Sequence, residues 1–510
     1  MFQSLTINFM SVTALILSPT LAVFASESQG QDSKAGLPTK FTGTADSLKQ
    51  YACPQWFRDA KFGIWAHWGP VAATDMTGNW YARKMYEQDS KDYNYHLKTF
   101  GHPSKFGYKD VINLWRGEKF DPAYLMDLYK RAGAKYFVSM GAHHDNFDLW
   151  NSKYHKWNAV NYGPKKDIVG LWREQAIKQG MHFGVSEHFE RSYNWMQLSH
   201  GSDEKGPLAG VPYDGNDPQF EDLYLPKHDD SGTGYPVNAP QWWKEQWRNR
   251  LNDLIVNYKP DLVYLDGAIP FEDLGLNLVA DFFNGSMASH GGKLEAVLNI
   301  KNEKGLGFYH EDIGVKDVEQ GGLDDIRAKP WQTCDTTSTW FYTSGRYFQK
   351  SSHDVIVELV DVVSKNGNLL MNIPQKSDGT IDEVCLAILQ DLERWIKING
   401  TAIYETRPYK VFGEGPKPEK PIKGVRRAKT YTEKDFRYTI KGDSIYAFCL
   451  KTTADPILFT ALKDESIKSV SLLGSNDKIT WSVTPSGLQI EPIKNWPTEF
   501  ANAFEIKLKK

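Results

Sequence analysis

A chain of 510 residues is long enough for about three average domains, or for one large barrel with an appendage. Its 60 Lys and Arg nearly cancel its 63 Asp and Glu, so a net charge of -3 carries none of the basic excess that a nucleic-acid partner requires. The unusual quantity is aromatic: 17 Trp, 25 Tyr and 26 Phe supply flat apolar faces with polar edges, which suit stacking on sugar rings as well as filling a core.

Residues 9–25 form an apolar segment that is interrupted by Pro19 and ends in Val23-x-Ala25. It is too short and broken for a spanning helix and reads as a signal peptide over residues 1–25. Nothing later resembles a membrane span, so the expected location is secreted or periplasmic. Residues 26–45 are polar and rich in Ser, Gly and Lys, which predicts a flexible lead-in. The four cysteines, Cys53, Cys334, Cys385 and Cys449, are too widely spaced to suggest a zinc site or a disulfide scaffold.

From Trp56 the pattern alternates between short apolar runs and amphipathic stretches. Residues 62–68 read as a strand delivering His67 at its end, with Gly69-Pro70 as breaker. The loop that follows carries Asn79-Trp80-Tyr81 and is long enough to wall a pocket. Asp121-Pro122 starts a helix that Gly133 ends, and residues 136–140 form a buried strand leading to His143-His144-Asp145. Side chains of adjacent histidines diverge along an extended chain, so a shared metal would need a bent backbone and a third ligand such as His188 or Asp145; donation to sugar hydroxyls is the alternative.

A helix over 167–179 and a strand over 181–186 lead to Glu187-His188. Residues 200–240, rich in Gly, Asp and Pro, are expected to be an irregular surface excursion. Gln241 to Tyr258 then forms a helix whose Trp243, Trp247, Leu251, Leu254 and Tyr258 fall on one apolar face. The run 262–265 reads as a buried strand, and Asp266-Gly267 places a carboxylate at its tip, the position that faces the mouth of a barrel. A helix at 275–288, a strand at 295–299, Glu319 ahead of two glycines, a helix at 353–365, a strand at 369–373 and a helix at 382–398 complete seven or eight units. That count predicts a (β/α)8-like barrel over residues 46–400, and no glycine-rich phosphate loop follows the first strand. Beyond 401, short alternating runs at 444–450, 467–472, 479–483 and 503–507 predict an all-β sandwich domain over 401–510, either binding sugar or buttressing the barrel.

A barrel mouth with carboxylates, histidines and tryptophans suits acid/base work on a neutral polar substrate, and glycoside hydrolysis needs two carboxylates there. A sugar-binding barrel without catalysis would carry the same residues. The segments Lys61-Phe-Gly-Ile-Trp-Ala-His-Trp-Gly69, Asn79-Trp-Tyr81, Ala132-Gly-Ala-Lys-Tyr136, His143-His-Asp145, Leu149-Trp150 and Pro260-Asp-Leu-Val-Tyr-Leu-Asp-Gly267 resemble, in order, those of glycoside hydrolase family 29, the α-L-fucosidases. The resemblance spans about 50–400 and extends to the β module.

It implies a retaining enzyme without metal or cofactor, acting through a covalent fucosyl-enzyme on fucosylated oligosaccharide or polysaccharide. Asp266 matches the nucleophile, at the end of the fourth strand. His67, Trp80, His143, His144 and Trp340 match residues that line the sugar pocket, and His188 joins them as a binding candidate. Glu319 resembles the glutamate of a Glu-Arg-Gly motif and is preferred as acid/base over Glu311 and Glu303. Its companion arginine is Gln320 here, and Arg327 is the substitute source of positive charge. Two further departures, Asn79 for a glutamate and Asn146 for a glycine, point to an altered substrate preference, such as a substituted sugar or a related one like α-L-galactose.

Overall fold

A computed structural model describes residues 39–509 apart from 76–77, 237, 303–306, 346–347 and 417–429; the predicted signal segment lies outside the described residues. Eight parallel strands close into a barrel: β1 Phe62–Ala66, β2 Tyr136–Ala142, β3 His182–Glu187, β4 Leu262–Leu265, β5 Val297–Ile300, β6 Val315–Asp317, β7 Trp331–Thr336 and β8 Gly367–Asn372. β1 pairs with both β2 and β8, which closes the ring. Long helices follow six of the strands: Pro122–Arg131, Ile168–Lys178, Gln241–Tyr258, Glu272–Ser289, Ser352–Ser364 and Glu383–Asn399. No comparably long helix follows β5 or β6 among the described residues.

Local chemistry explains the boundaries. Asp121 caps the first of these helices by accepting from Tyr124 N, with Pro122 at its first position. Ser351 and Asp354 form a capping box on Ser352–Ser364. Helix Gln241–Tyr258 stops at Lys259, which turns left-handed (φ 43°), and Pro260 prevents its continuation. Its apolar face is the predicted one, with Trp243, Trp247 and Leu251 fully buried.

β7 does not announce itself, because it is polar. All six residues of Trp-Gln-Thr-Cys-Asp-Thr are buried. Their polar atoms find partners distant in sequence: Gln332 donates to Asp317 (2.9 Å) and accepts from Tyr136 (3.0 Å), and Thr333 donates to the Val318 carbonyl (2.7 Å). Residues 200–240 likewise differ from a plain surface excursion. Asp203 accepts from Tyr93 and Tyr213 (2.7 and 2.6 Å) and pairs with His102, while Asp214 accepts from Tyr86 and Tyr224. Two carboxylates thus pin the segment to the connection between β1 and β2 through polar bonds, which no apolar periodicity can reveal.

Strands β9 Arg407–Glu414, β10 Phe436–Lys441, β11 Ser444–Cys449, β12 Ile457–Phe459, β13 Ile467–Leu472, β14 Trp481–Thr484, β15 Gly487–Ile490 and β16 Asn502–Leu508 form two antiparallel sheets, ordered β13-β16-β11-β10-β9 and β12-β15-β14. One apolar core lies between them, around Tyr438, Phe459, Leu488 and Phe504. Against the barrel they are fixed by Trp395 donating to Ala501 (2.6 Å) and by Arg437 paired with buried Asp361 (2.6 Å). All four cysteines are free thiols. No helix among the described residues is long and apolar enough to cross a membrane.

Arg250, on helix Gln241–Tyr258, forms a wholly buried ion pair with Asp148 in the connection after β2. Both side chains are wholly buried, 2.5 Å apart, and Arg250 also donates to Asn146 Oδ1 (2.7 Å). Removing one partner strands the other charge in the interior. Arg250→Ala is therefore expected to cost about 3–5 kcal/mol in urea unfolding, where a loss under ~1 kcal/mol would contradict a structural role for the pair.

Candidate active site

The C-terminal ends of seven consecutive strands converge on one cavity. His67 stands one residue past β1, His143 and His144 past β2, His188 past β3, Asp266 past β4, Lys301 past β5, and Glu319 two residues past β6; Trp340 follows β7. β8 supports rather than lines it. Asn372 at its tip accepts from the His67 backbone N–H (2.9 Å) and donates to the Trp340 carbonyl (2.9 Å), joining the first wall to the seventh. Trp80, Asn79, Arg191, Trp65 and Tyr264 complete a cavity of about 160 Å³, the scale of a single sugar ring rather than a chain.

Asp266 sits on the floor, its side chain 16% exposed. Lys301 Nζ lies 2.5 Å from its Oδ1 and 2.7 Å from Glu319 Oε2, so one ammonium bridges both carboxylates. Those two oxygens can be no further apart than the two contacts laid end to end, which is within the ~5–5.5 Å carboxylate spacing of retaining glycosidases. His188 Nδ1 is 3.0 Å from Asp266 Oδ2, close enough for an ion pair though without hydrogen-bond alignment, and Arg191 donates to the Asp266 carbonyl (2.9 Å). Burial pushes the Asp266 carboxyl up, but Lys301, then His188 and Arg191, outweigh it and hold it well below the usual carboxylate range. Burial alone would lower the Lys301 ammonium; Asp266 and Glu319 reverse that and keep it protonated.

The histidines form a neutral wall. Burial, reinforced by neighbouring histidines or Arg191, holds His67, His143 and His144 well below their ordinary 6.5. His144 Nδ1 donates to the His188 carbonyl (2.5 Å), which leaves Nε2 as an acceptor facing the cavity, 3.7 Å from Asp266. Both ring nitrogens of His67 are buried without a protein partner, a cost that a polyhydroxylated ligand would relieve. Aromatic edges surround them: Trp340 lies 5.3 Å and Phe341 4.8 Å from the His67 ring, and Trp80 packs on Trp195.

The expected divergence of His143 and His144 does not occur. Their ring centroids are 4.2 Å apart and both face the cavity, because β2 is irregular between Met140 and Ala142 and the chain turns at Asn146 (φ 58°). Arg327 is not among the lining residues; it pairs with Glu311 (2.9 Å) and donates to the Pro330 carbonyl (3.0 Å). The cavity's positive charge comes from Lys301 and Arg191 instead. Of the carboxylates weighed beside Glu319, Glu311 is therefore engaged elsewhere, and Glu303 lies outside the described residues. Asn79 lines the cavity, whereas Asn146 is a buried anchor that accepts from Arg250 and donates to the carbonyls of Asp222 and Leu223 (3.1 and 3.0 Å). Sequence reading missed Lys301, although a charge directly after the buried run Val297–Ile300 is the same signal that singled out Asp266. Gln320, at φ 50°, bends the chain so that Glu319 turns inward while Gln320 N bonds the Cys334 carbonyl (2.8 Å).

Protonation of the wall is disfavoured in the folded state, while the unfolded chain takes up protons as pH falls through 6.5. Each of these histidines therefore withdraws stability below that pH, by up to ~1.4 kcal/mol per pH unit. Asp145, Asp214 and Asp317, pushed up to about 6 by burial, act in the opposite sense, so the informative quantity is a difference between variant and parent. His143→Asn is expected to lose less stability than the parent between pH 7.5 and 5; parallel stability curves would show that the ring is not held neutral.

Known proteins place this geometry in a family. The alpha-L-fucosidase family model matches residues 28–401. Tissue alpha-L-fucosidase of Bos taurus is 27% identical over 481 residues, covering 91% of this chain and 90% of the relative; plasma alpha-L-fucosidase of Homo sapiens is 27% identical over 473 residues, covering 89% and 88%. Among solved structures, Thermotoga maritima alpha-fucosidase in complex with fucose superposes with a TM-score of 0.70 at 25% identity, covering 92% of this chain and 100% of that one. The same enzyme with a mechanism-based inhibitor gives a TM-score of 0.72 at 24% identity over the same coverage. With nearly three-quarters of its length matched by the family model, this chain belongs to the alpha-L-fucosidase family.

Proposed function

We propose that the protein is a retaining α-L-fucosidase that removes terminal α-L-fucosyl residues from glycans through a covalent fucosyl-enzyme. The single observation that carries the role assignment is the Lys301 bridge, which keeps the nearest oxygens of Asp266 and Glu319 no further apart than the spacing of a retaining pair, in a cavity sized for one sugar.

Asp266 is the nucleophile. Its carboxylate is ionised at neutral pH, and Lys301 fixes one oxygen while the other remains directed at the histidine wall. Attack on the anomeric carbon joins it to the carboxylate oxygen as a glycosyl ester and breaks the glycosidic bond, whose oxygen takes a proton from Glu319. Glu319 suits that role because its side chain is 40% exposed at the rim, where a leaving group departs and water enters. It then takes a proton from that water, whose oxygen attacks the anomeric carbon and frees Asp266. His67, His143 and His144, neutral and partly unpartnered, bind hydroxyls; His188 and Arg191 secure Asp266; Trp80 and Trp340 cover the apolar face of the sugar. Asn79 supplies an amide where a carboxylate would make a stronger charge-assisted bond, which supports a pocket more tolerant of substitution on the sugar. The apolar leader at 9–25 supports an exported enzyme, secreted or periplasmic.

Asp266→Ala should lower kcat/KM on an aryl α-L-fucoside by ~10⁴-fold or more, and near-parental turnover would remove Asp266 from the role. Glu319→Ala should lose ~10²–10⁴-fold on natural linkages with poor leaving groups, much less on an activated aryl fucoside, with azide restoring part of the rate. Equal losses on both substrates without azide rescue would transfer the acid/base role to another group.

A further inference from the structure

The described residues form a second depression of about 300 Å³, walled by Glu221, Asp222, Leu225, Pro226, Trp242 and Gln246. Trp242 is 42% exposed, although Trp243 and Trp247 on the same helix are wholly buried. Packing explains the latter two and leaves Trp242 unexplained, because an indole this exposed forgoes much of its burial gain. Its ring is nevertheless held, edge-on to Tyr193 (5.9 Å) and Trp243 (6.0 Å).

The opposite wall is held as firmly. Leu225 adopts φ 64°, ψ 162°, a conformation essentially reserved for glycine. Its carbonyl is bonded by His200 Nε2 (2.9 Å), and the Pro226 carbonyl accepts from Gln197 (3.1 Å). Asn146, the residue that stands where the family resemblance expects glycine, donates to the Asp222 and Leu223 carbonyls just behind this wall. A side chain absent from the expected pattern thus fixes the segment that forms the depression.

The lining chemistry selects the occupant. An exposed indole provides an apolar plate; the Glu221 carboxylate and Gln246 amide provide acceptors and donors beside it, and Asp222 is engaged by Lys156 (2.5 Å). Among the described residues no cationic side chain lines the depression, so it disfavours acidic sugars and suits a neutral pyranose. The short helix Ser192–Trp195 touches the surroundings of both cavities. Arg191 lines the catalytic one and Trp195 packs on His144 (4.6 Å), while Tyr193, between them in sequence, packs on Trp242.

We propose that this depression is a separate carbohydrate-binding site, holding a neutral pyranose residue of a glycan against Trp242 outside the catalytic cavity. The choice of a glycan as occupant rests on the fucosidase reading; the existence of the site does not. The test titrates the full-length protein calorimetrically with three neutral, fucose-free probes: cellohexaose, lacto-N-tetraose and a xyloglucan heptasaccharide. At least one is expected to bind, Trp242→Ala to weaken that binding about tenfold or more, and Gln246→Ala to weaken it less. Both variants should keep kcat/KM on 4-nitrophenyl α-L-fucoside within about twofold of the parent. Binding of none of the probes, or parental binding by both variants, overturns the site. Absent fucoside turnover by the parent would instead overturn the enzyme reading, since the titration requires no catalysis; Gln246→Ala keeps the test decisive if Trp242→Ala fails to fold.

Discussion

The cavity depends on one buried cation. Two carboxylates within ~5 Å of each other in a low-dielectric site repel strongly, and one of them would ordinarily stay protonated. Lys301 sits between them, 2.5 Å from one and 2.7 Å from the other, and its charge keeps Asp266 the ionised member. The barrel makes the arrangement possible, since β4, β5 and β6 are adjacent and parallel and deliver Asp266, Lys301 and Glu319 from neighbouring strand ends. Burying such a triad is expensive unless each charge is met, which is why His188 and Arg191 also close on Asp266.

Charge and neutrality are divided within the same small space. The floor carries the ions, while the wall of His67, His143 and His144 is held neutral by burial and mutual repulsion. A neutral imidazole offers one donor and one acceptor, which matches the two-way hydrogen bonding of a hydroxyl. Protonated histidines would offer donors only and would draw Asp266 away from its task. The separation therefore links the electrostatics of the fold to recognition of an uncharged sugar.

Much of this was legible in the chain because barrel geometry converts a simple sequence pattern into a location. An apolar strand followed at once by a polar residue marked His67 and Asp266, and the same rule applies to Lys301 once β5 is extended to Ile300. The rule fails where burial is polar. β7 hides among Gln332, Thr333 and Asp335, whose partners come from other strands and loops, and the 200–240 segment is held by Asp203 and Asp214 with tyrosines up to 128 residues away in sequence. Arg327 illustrates a different limit: its charge was legible, but its pairing with Glu311 is settled by the fold of a helix-free connection. Asn146 was legible as a departure from pattern though not as an anchor, and Trp242 is legible only in retrospect, as an aromatic at a helix position that packing does not claim.

The central claim is that Asp266 becomes covalently attached to the sugar. Treating the protein with 2-deoxy-2-fluoro-α-L-fucosyl fluoride and mapping peptides by mass spectrometry tests it directly. The account predicts one fluorofucosyl adduct per chain, on the peptide containing Asp266, released on prolonged incubation. An adduct on any other carboxylate, or turnover without a trappable adduct and with inversion of the released sugar, would contradict it.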